Sequence, residues 1–360
     1  MSANNLMRRN VVILAICLAL MMSATSLVII TSALAGVILA PSKIWATVPL
    51  ACMFIGSLSC AIPASLLMKR IGRRAGFSVG LGFALAGALI ATLGLLENSF
   101  LVFCVGSLFI GLFNGFGQFY RFAAADAASE AYRSRAISWV MAGGVVAAFV
   151  GPNLANWSQH LMVGTRFAGC YASLLVLYLL SLILIAWIRI PKPSVEERSQ
   201  SGRPLSQIAM QPIFVVAALS AVAAYSVMNL IMTSTPLAMD SYGHHFEQTT
   251  RVIQWHILGM YAPSFLTGHL IRRFSCTRVM IVGTFFLGLC VVVNLHGQNI
   301  PHFWLALVLL GLGWNFLFIG GTTLVTETYL PTEKAKTQGL NDFLVFGMVA
   351  LTALTSGVLH

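Results

Sequence analysis

The side chains with chemical capacity are few in this chain, and they recur at helical spacing. Asn114, Gln118 and Arg121 stand at i, i+4 and i+7, one polar stripe along an apolar segment. A second stripe runs through Asn315, Thr322 and Thr326, with Trp314 beside its first member. Tyr225 and Asn229 share a third face, and Gln254 and His256 lie near the end of another segment. An amide inside a bilayer needs hydrogen bonds, from a neighbouring helix or from a wet cavity and its contents. Both readings are open for Asn114 and Asn315. Arg121 admits three: an inner gate, a contact to a substrate anion, or an interfacial cation that snorkels. His256 would titrate near neutral pH in water and carry a proton, or serve as a packing histidine. Trp314 offers either a stacking face for a ring-shaped substrate or a core aromatic.

What is missing narrows the chemistry. Asp126, Glu327 and Asp342 fall near inner helix ends, while Glu97, Asp240 and Glu247 fall in outer loops. With no carboxylate near mid-membrane, a strongly cationic substrate is disfavoured. A neutral polar or aromatic molecule fits, as does a weak anion met by Arg121. Protons as coupling ion would rest on His256 or Asp342. The seven cysteines form no CxxC and show no Cys/His ligand spacing, so no metal site is expected. Histidines are scattered over both faces and no GxxxxGK[ST] loop is present, which argues against an enzyme; no cofactor is expected.

The elements that hold these residues are membrane helices. Apolar residues make up 58% of the 360 and charged ones 9%, too little polar material to cover a soluble surface. Apolar windows predict helices over 11–39, 46–68, 76–96, 100–125, 136–158, 167–189, 211–236, 251–271, 278–296, 302–326 and 338–358. Each suits a bilayer core about 30 Å thick, which takes about 20 helical residues. The net charge of +11 reports topology. Most Lys and Arg fall in alternate loops, and the others hold Lys43, Arg166 and Arg251. Positive loops stay inside, so the N-terminus is expected in the cytoplasm and nucleic acid is not a partner.

The basic turn Lys69-Arg70-Ile71-Gly72-Arg73-Arg74 returns as Arg272-Arg273-Phe274-Ser275. Gly56 and Gly259, Arg70 and Arg273, and Gly80 and Gly283 are all 203 positions apart; Asn114 and Asn315, and Asp126 and Glu327, are 201 apart. The chain reads as a duplication. It predicts an all-α polytopic membrane protein of two pseudo-symmetric six-helix bundles, the second lacking its last helix. Residues 1–190 form the first bundle, 191–210 a cytoplasmic linker and 211–360 the second bundle with five helices. A twelfth helix is expected to be missing, by truncation or by a shortened gene.

These residues resemble the major facilitator superfamily along nearly the whole chain. Its signature between helices two and three, Gly-x-x-x-Asp-Arg-x-Gly-Arg-Lys/Arg, is matched at Arg70, Gly72, Arg73 and Arg74, while Ser65 and Lys69 replace the Gly and Asp. The copy between helices eight and nine keeps Gly268, Arg272 and Arg273. The resemblance implies a gating role for Arg70, Gly72, Arg73 and Arg273, with Asp126 and Glu327 as acidic partners. The family's helix-four Arg is absent, Gly111 standing in its place, and helix five keeps a fragment of an exporter motif in Gly143, Gly144, Gly151 and Pro152. Residues Val252 to Met260 are similar to bacterial members of the family, flavin carriers being one possibility, and assign no substrate. The resemblance implies a site lined by helices one, four, seven and ten. Asn114, Gln118, Arg121, Asn229, Gln254, His256, Trp314 and Asn315 are the substrate-binding candidates. The expectation is a monomeric secondary transporter of the bacterial inner membrane, moving a small molecule by alternating access. The alternatives are a proton-coupled multidrug exporter and a non-transporting receptor on a carrier fold.

Overall fold

The structure, a computed structural model, describes residues 3–42, 45–162, 164–192, 202–244 and 246–356. Lys43 and residues 193–201 of the linker lie outside the described residues, as do residues 357–360. The first helices are α1 (Ala3–Leu39), α2 (Val48–Ile71), α3 (Arg73–Leu96), α4 (Phe100–Gly117) and α5 (Tyr120–Ala127). Next come α6 (Arg133–Ala142), α7 (Gly144–Ser158) and α8 (Ala168–Ala186). After the linker run α9 (Leu205–Ala209), α10 (Pro212–Ser241), α11 (Phe246–Tyr261), α12 (Ser264–Phe274), α13 (Cys276–His296), α14 (Ile300–Val325) and α15 (Lys334–Ser356). Among the described residues, nine helical stretches are long and apolar enough to cross a membrane. With α11–α12 and α15 they make eleven rods.

Three rods expected to be continuous are broken. The fourth tightens at Gln118 and Phe119, where the Phe119 N–H bonds to the Phe116 carbonyl three residues back. The fifth steps at Gly143, and the eighth breaks at Ala262 and Pro263, because proline has no N–H for the ladder. The Asp240 loop expectation also shifts: α10 runs through to Ser241.

The chain forms two compact units. Residues 1–127 and 146–200 make one; residues 128–145 and 201–360 make the other. In the first unit α8 packs against α1 and α3, and α4 against α2 and α3. Glycine permits the closest of these approaches, since a Cβ at Gly111 would collide with the Met53 carbonyl. In the second unit α14 packs against α11, α13 and α10, and α12 against α6. Ser134 of α6 donates to the Gly268 carbonyl at 3.4 Å, and the Trp139 ring meets Phe265 edge-on at 5.5 Å.

The two copies differ in burial. Within their apolar cores α1 and α3 are 56% and 50% buried, whereas their counterparts α10 and α13 are 28% buried each. Leu219, Phe285 and Leu295 stand exposed there. In the first unit α8 packs on both α1 and α3.

Candidate functional site

The stripe on the fourth rod is assembled by its break. Arg121 is buried, and its Nη1 donates to both the carbonyl and Oε1 of Gln118, at 3.1 and 3.0 Å. Its guanidinium lies over the Phe122 ring at 4.6 Å. The tightened turn lets the Gln118 carbonyl leave the helix axis and accept this charge. Asn114 is buried one turn earlier, and its Oδ1 accepts from Thr25 of α1 at 3.3 Å. Sequence spacing placed the three on one face; the structure joins Gln118 to Arg121 directly and gives Asn114 to α1.

Asn315 serves a different end. It is fully buried. Nδ2 donates to the Met260 carbonyl and to Ser264 Oγ, both at 2.6 Å, and Oδ1 accepts from Thr267 at 2.6 Å. The amide thus straddles the α11–α12 break and supplies the donor the missing ladder bond needs. Both N–H groups are used within this unit.

Trp314, next to Asn315, is the centre of an aromatic cluster that the sequence did not reveal. It stacks on Phe318 at 4.8 Å and 24°, with Tyr225 and Tyr261 edge-on at 5.2 and 5.7 Å. Tyr225 also meets Phe318 and Phe346. Trp314 is sealed, so it backs the cluster, while Tyr225 and Asn229 are half-buried and one turn apart on α10. The Trp314/Phe318 spacing of four residues was the available signal; Phe346 and Tyr261 come from other helices and could not be seen in spacing. Gln254 is half-buried on α11. His256 is fully buried, with Nδ1 2.8 Å from the Leu307 carbonyl.

The gating candidates divide. Arg73 is buried and grips one oxygen of Asp126, Nε–Oδ2 3.0 Å and Nη2–Oδ2 2.9 Å. Gly72 joins α2 to α3 at φ 88° and ψ 163°, a region that L side chains rarely enter. Arg70 and Arg273 are exposed, Arg273 lying over Phe274 at 5.5 Å. Glu327 is also exposed, and the charges that bear on it are Arg133 and Glu130. No ion pair joins Arg273 to Glu327 among the described residues. The second copy has Cys276 where the first has Arg73, so the guanidinium that would reach the acid is absent.

A clasp outside the predicted set fixes the end of the linker. Glu333 is fully buried and takes Arg203 in a fork, Nε–Oε1 2.8 Å and Nη2–Oε2 2.6 Å, plus the backbone N–H groups of Arg203 and Leu330. Lys336 donates to the Arg203 carbonyl. The hydrogen bonds from Arg203 hold the Glu333 carboxyl down at about 2.

Residues 11–353 match the Major Facilitator Superfamily. The riboflavin transporter RfnT of Brucella anthropi is 40% identical over 354 residues, covering 98% of this chain and 89% of the relative. The uncharacterized MFS-type transporter YddS of Bacillus subtilis is 31% identical over 332 residues, 87% of this chain and 75% of the relative. Among solved structures, the proton:xylose symporter XylE superposes with a TM-score of 0.78 at 13% identity, covering 99% and 90% of the two chains. The human organic anion transporter MFSD10 gives 0.77 at 15% identity, covering 98% and 93%. A duplicated helical architecture, a family match over nearly its whole length and a relative of this identity place the chain in the Major Facilitator Superfamily, as a multi-pass secondary transporter.

Proposed function

We propose that this protein carries riboflavin, or a neutral planar heteroaromatic molecule very like it, across a bacterial inner membrane by alternating access. It acts as a monomer with its N-terminus in the cytoplasm, and Arg70, Gly72, Arg73 and Asp126 serve its inner gate. The observation that carries the substrate is the aromatic cluster behind Tyr225, with Asn229 one turn along the same helix. A flavin has a flat, uncharged ring system edged with carbonyls and ring nitrogens, and a polyol tail. Half-buried tyrosine offers ring contact, and amides offer both donors and acceptors. The sequence expectation of no carboxylate at mid-membrane agrees with an uncharged cargo, and the relative named for riboflavin covers almost all of this chain.

Binding tests this first. A ligand that binds the folded state raises the melting temperature by mass action, about 2.7 kcal/mol at a hundredfold excess over Kd. Riboflavin is expected to stabilise the detergent-purified protein. Tyr225→Ala is expected to weaken binding at least tenfold, and Tyr225→Phe far less. Arg121→Ala is expected to cut transport while leaving insertion intact. No shift with riboflavin over the millimolar range would end the flavin reading.

A further inference from the structure

One glycine joint of the second unit holds a polar side chain where its repeat partner has none. Gly311 of α14 backs onto the His256 carbonyl, and Gly111 of α4 backs onto the Met53 carbonyl, 203 positions before His256. These are one packing site in two copies. Met53 and His256 are both buried. Methionine therefore satisfies the packing, and the imidazole adds a polar nitrogen that packing does not require. Its tautomer follows from its partner: the Leu307 carbonyl can only accept, so Nδ1 carries the hydrogen and Nε2 keeps its lone pair. That Nε2 is buried and has no hydrogen-bond partner among the described residues.

Among the described side chains, no charge bears on this ring. From α14 come Leu307, Val308 and Gly311, and from α10 Met239, which packs on Val252 of α11. The other titratable groups are Tyr225, half-buried on α10, His302, half-buried near the start of α14, and Arg251 and Tyr261 on α11 itself. The side chains of Asp240 and Glu247 lie outside the described residues.

We propose that Nε2 of His256 is the proton-binding site of this carrier, and that taking up the proton parts α11 from α14 around Leu307. This rests on the carrier reading above. The step is a simple addition: a proton from water bonds to Nε2, the ring becomes imidazolium, and deprotonation reverses it. A cation sealed between apolar helices is costly, so the charged ring favours a conformation in which water reaches it. A neutral cargo brings no charge of its own, so the charge moved per cycle is the proton's.

The test reads opening and coupling separately. Labelling of Leu307→Cys in proteoliposomes is compared in the His256 parent and the His256→Met variant, whose fold Met53 anticipates and a melting curve checks. The ratio of the two labelling rates is expected to rise about tenfold from pH 8 to pH 5.5. A one-unit pH gradient is expected to drive up to about tenfold riboflavin accumulation in the parent, the factor of ten per pH unit for one proton, and none in His256→Met. A pH-independent labelling ratio overturns the proposal, as does equal accumulation in both proteins or indifference of the parent to the gradient. If riboflavin does not move at all, the flavin reading falls, while the labelling ratio still decides for or against His256.

Discussion

Gly72 and Ser275 occupy the same backbone conformation, φ 88° and ψ 163° against φ 80° and ψ 155°. Glycine enters it freely, while a side chain there stores about 1–3 kcal/mol of strain. Ser275→Gly is therefore expected to gain about 1 kcal/mol in thermal melts, part of the relief being offset by glycine's larger unfolded-state entropy. Gly72→Ala is expected to lose about 1–3 kcal/mol. Equal small effects at both positions would contradict the shared geometry. The duplication put these residues in register on sequence alone, yet nothing in a serine announces a positive φ. Arg73 and Asp126 were likewise legible as basic turn and acidic partner. The pair is mostly buried, so losing its two charged hydrogen bonds is costly. Arg73→Gln is expected to cost about 3 kcal/mol, with Asp126→Asn adding little on top in a double-mutant cycle.

At the scale of elements, the windows found all eleven rods but not their breaks. Apolar periodicity continues across Gln118 and Phe119, and only the bond pattern shows the turn tightening. Pro263 was visible, but the repair of its break by Asn315 needs residues 48 to 55 positions away. The clasp at the linker was invisible for the same reason, since Arg203 and Glu333 are 130 positions apart. Its pH dependence has a definite sign. A carboxyl held at about 2 against 4.5 in the free chain contributes stability that is complete above pH 4.5 and drains away as pH falls toward 2. Glu333→Gln is expected to lower stability by about 2 kcal/mol at pH 7 and to flatten the acid limb of the melting profile. An acid limb unchanged in that variant would assign the loss to other carboxylates.

At the scale of the whole chain, membrane helices, duplication and family were legible because they are sums over many residues. Composition, span length and a fixed offset survive local error. The stripes on the fourth and tenth rods were legible as periodic polar faces, but their partners were not. The structure gives Asn114 to Thr25, Asn315 to a helix break and Trp314 to a ring cluster, and such assignments depend on which helices touch. Substrate chemistry entered through those contacts and through kinship with a riboflavin transporter. Counterflow is the most direct measurement of that claim. Proteoliposomes loaded with unlabelled riboflavin and given a trace of labelled riboflavin outside are expected to show a transient overshoot of label, abolished when the lumen holds no flavin. Label that equilibrates at the same slow rate in protein-free vesicles would contradict it.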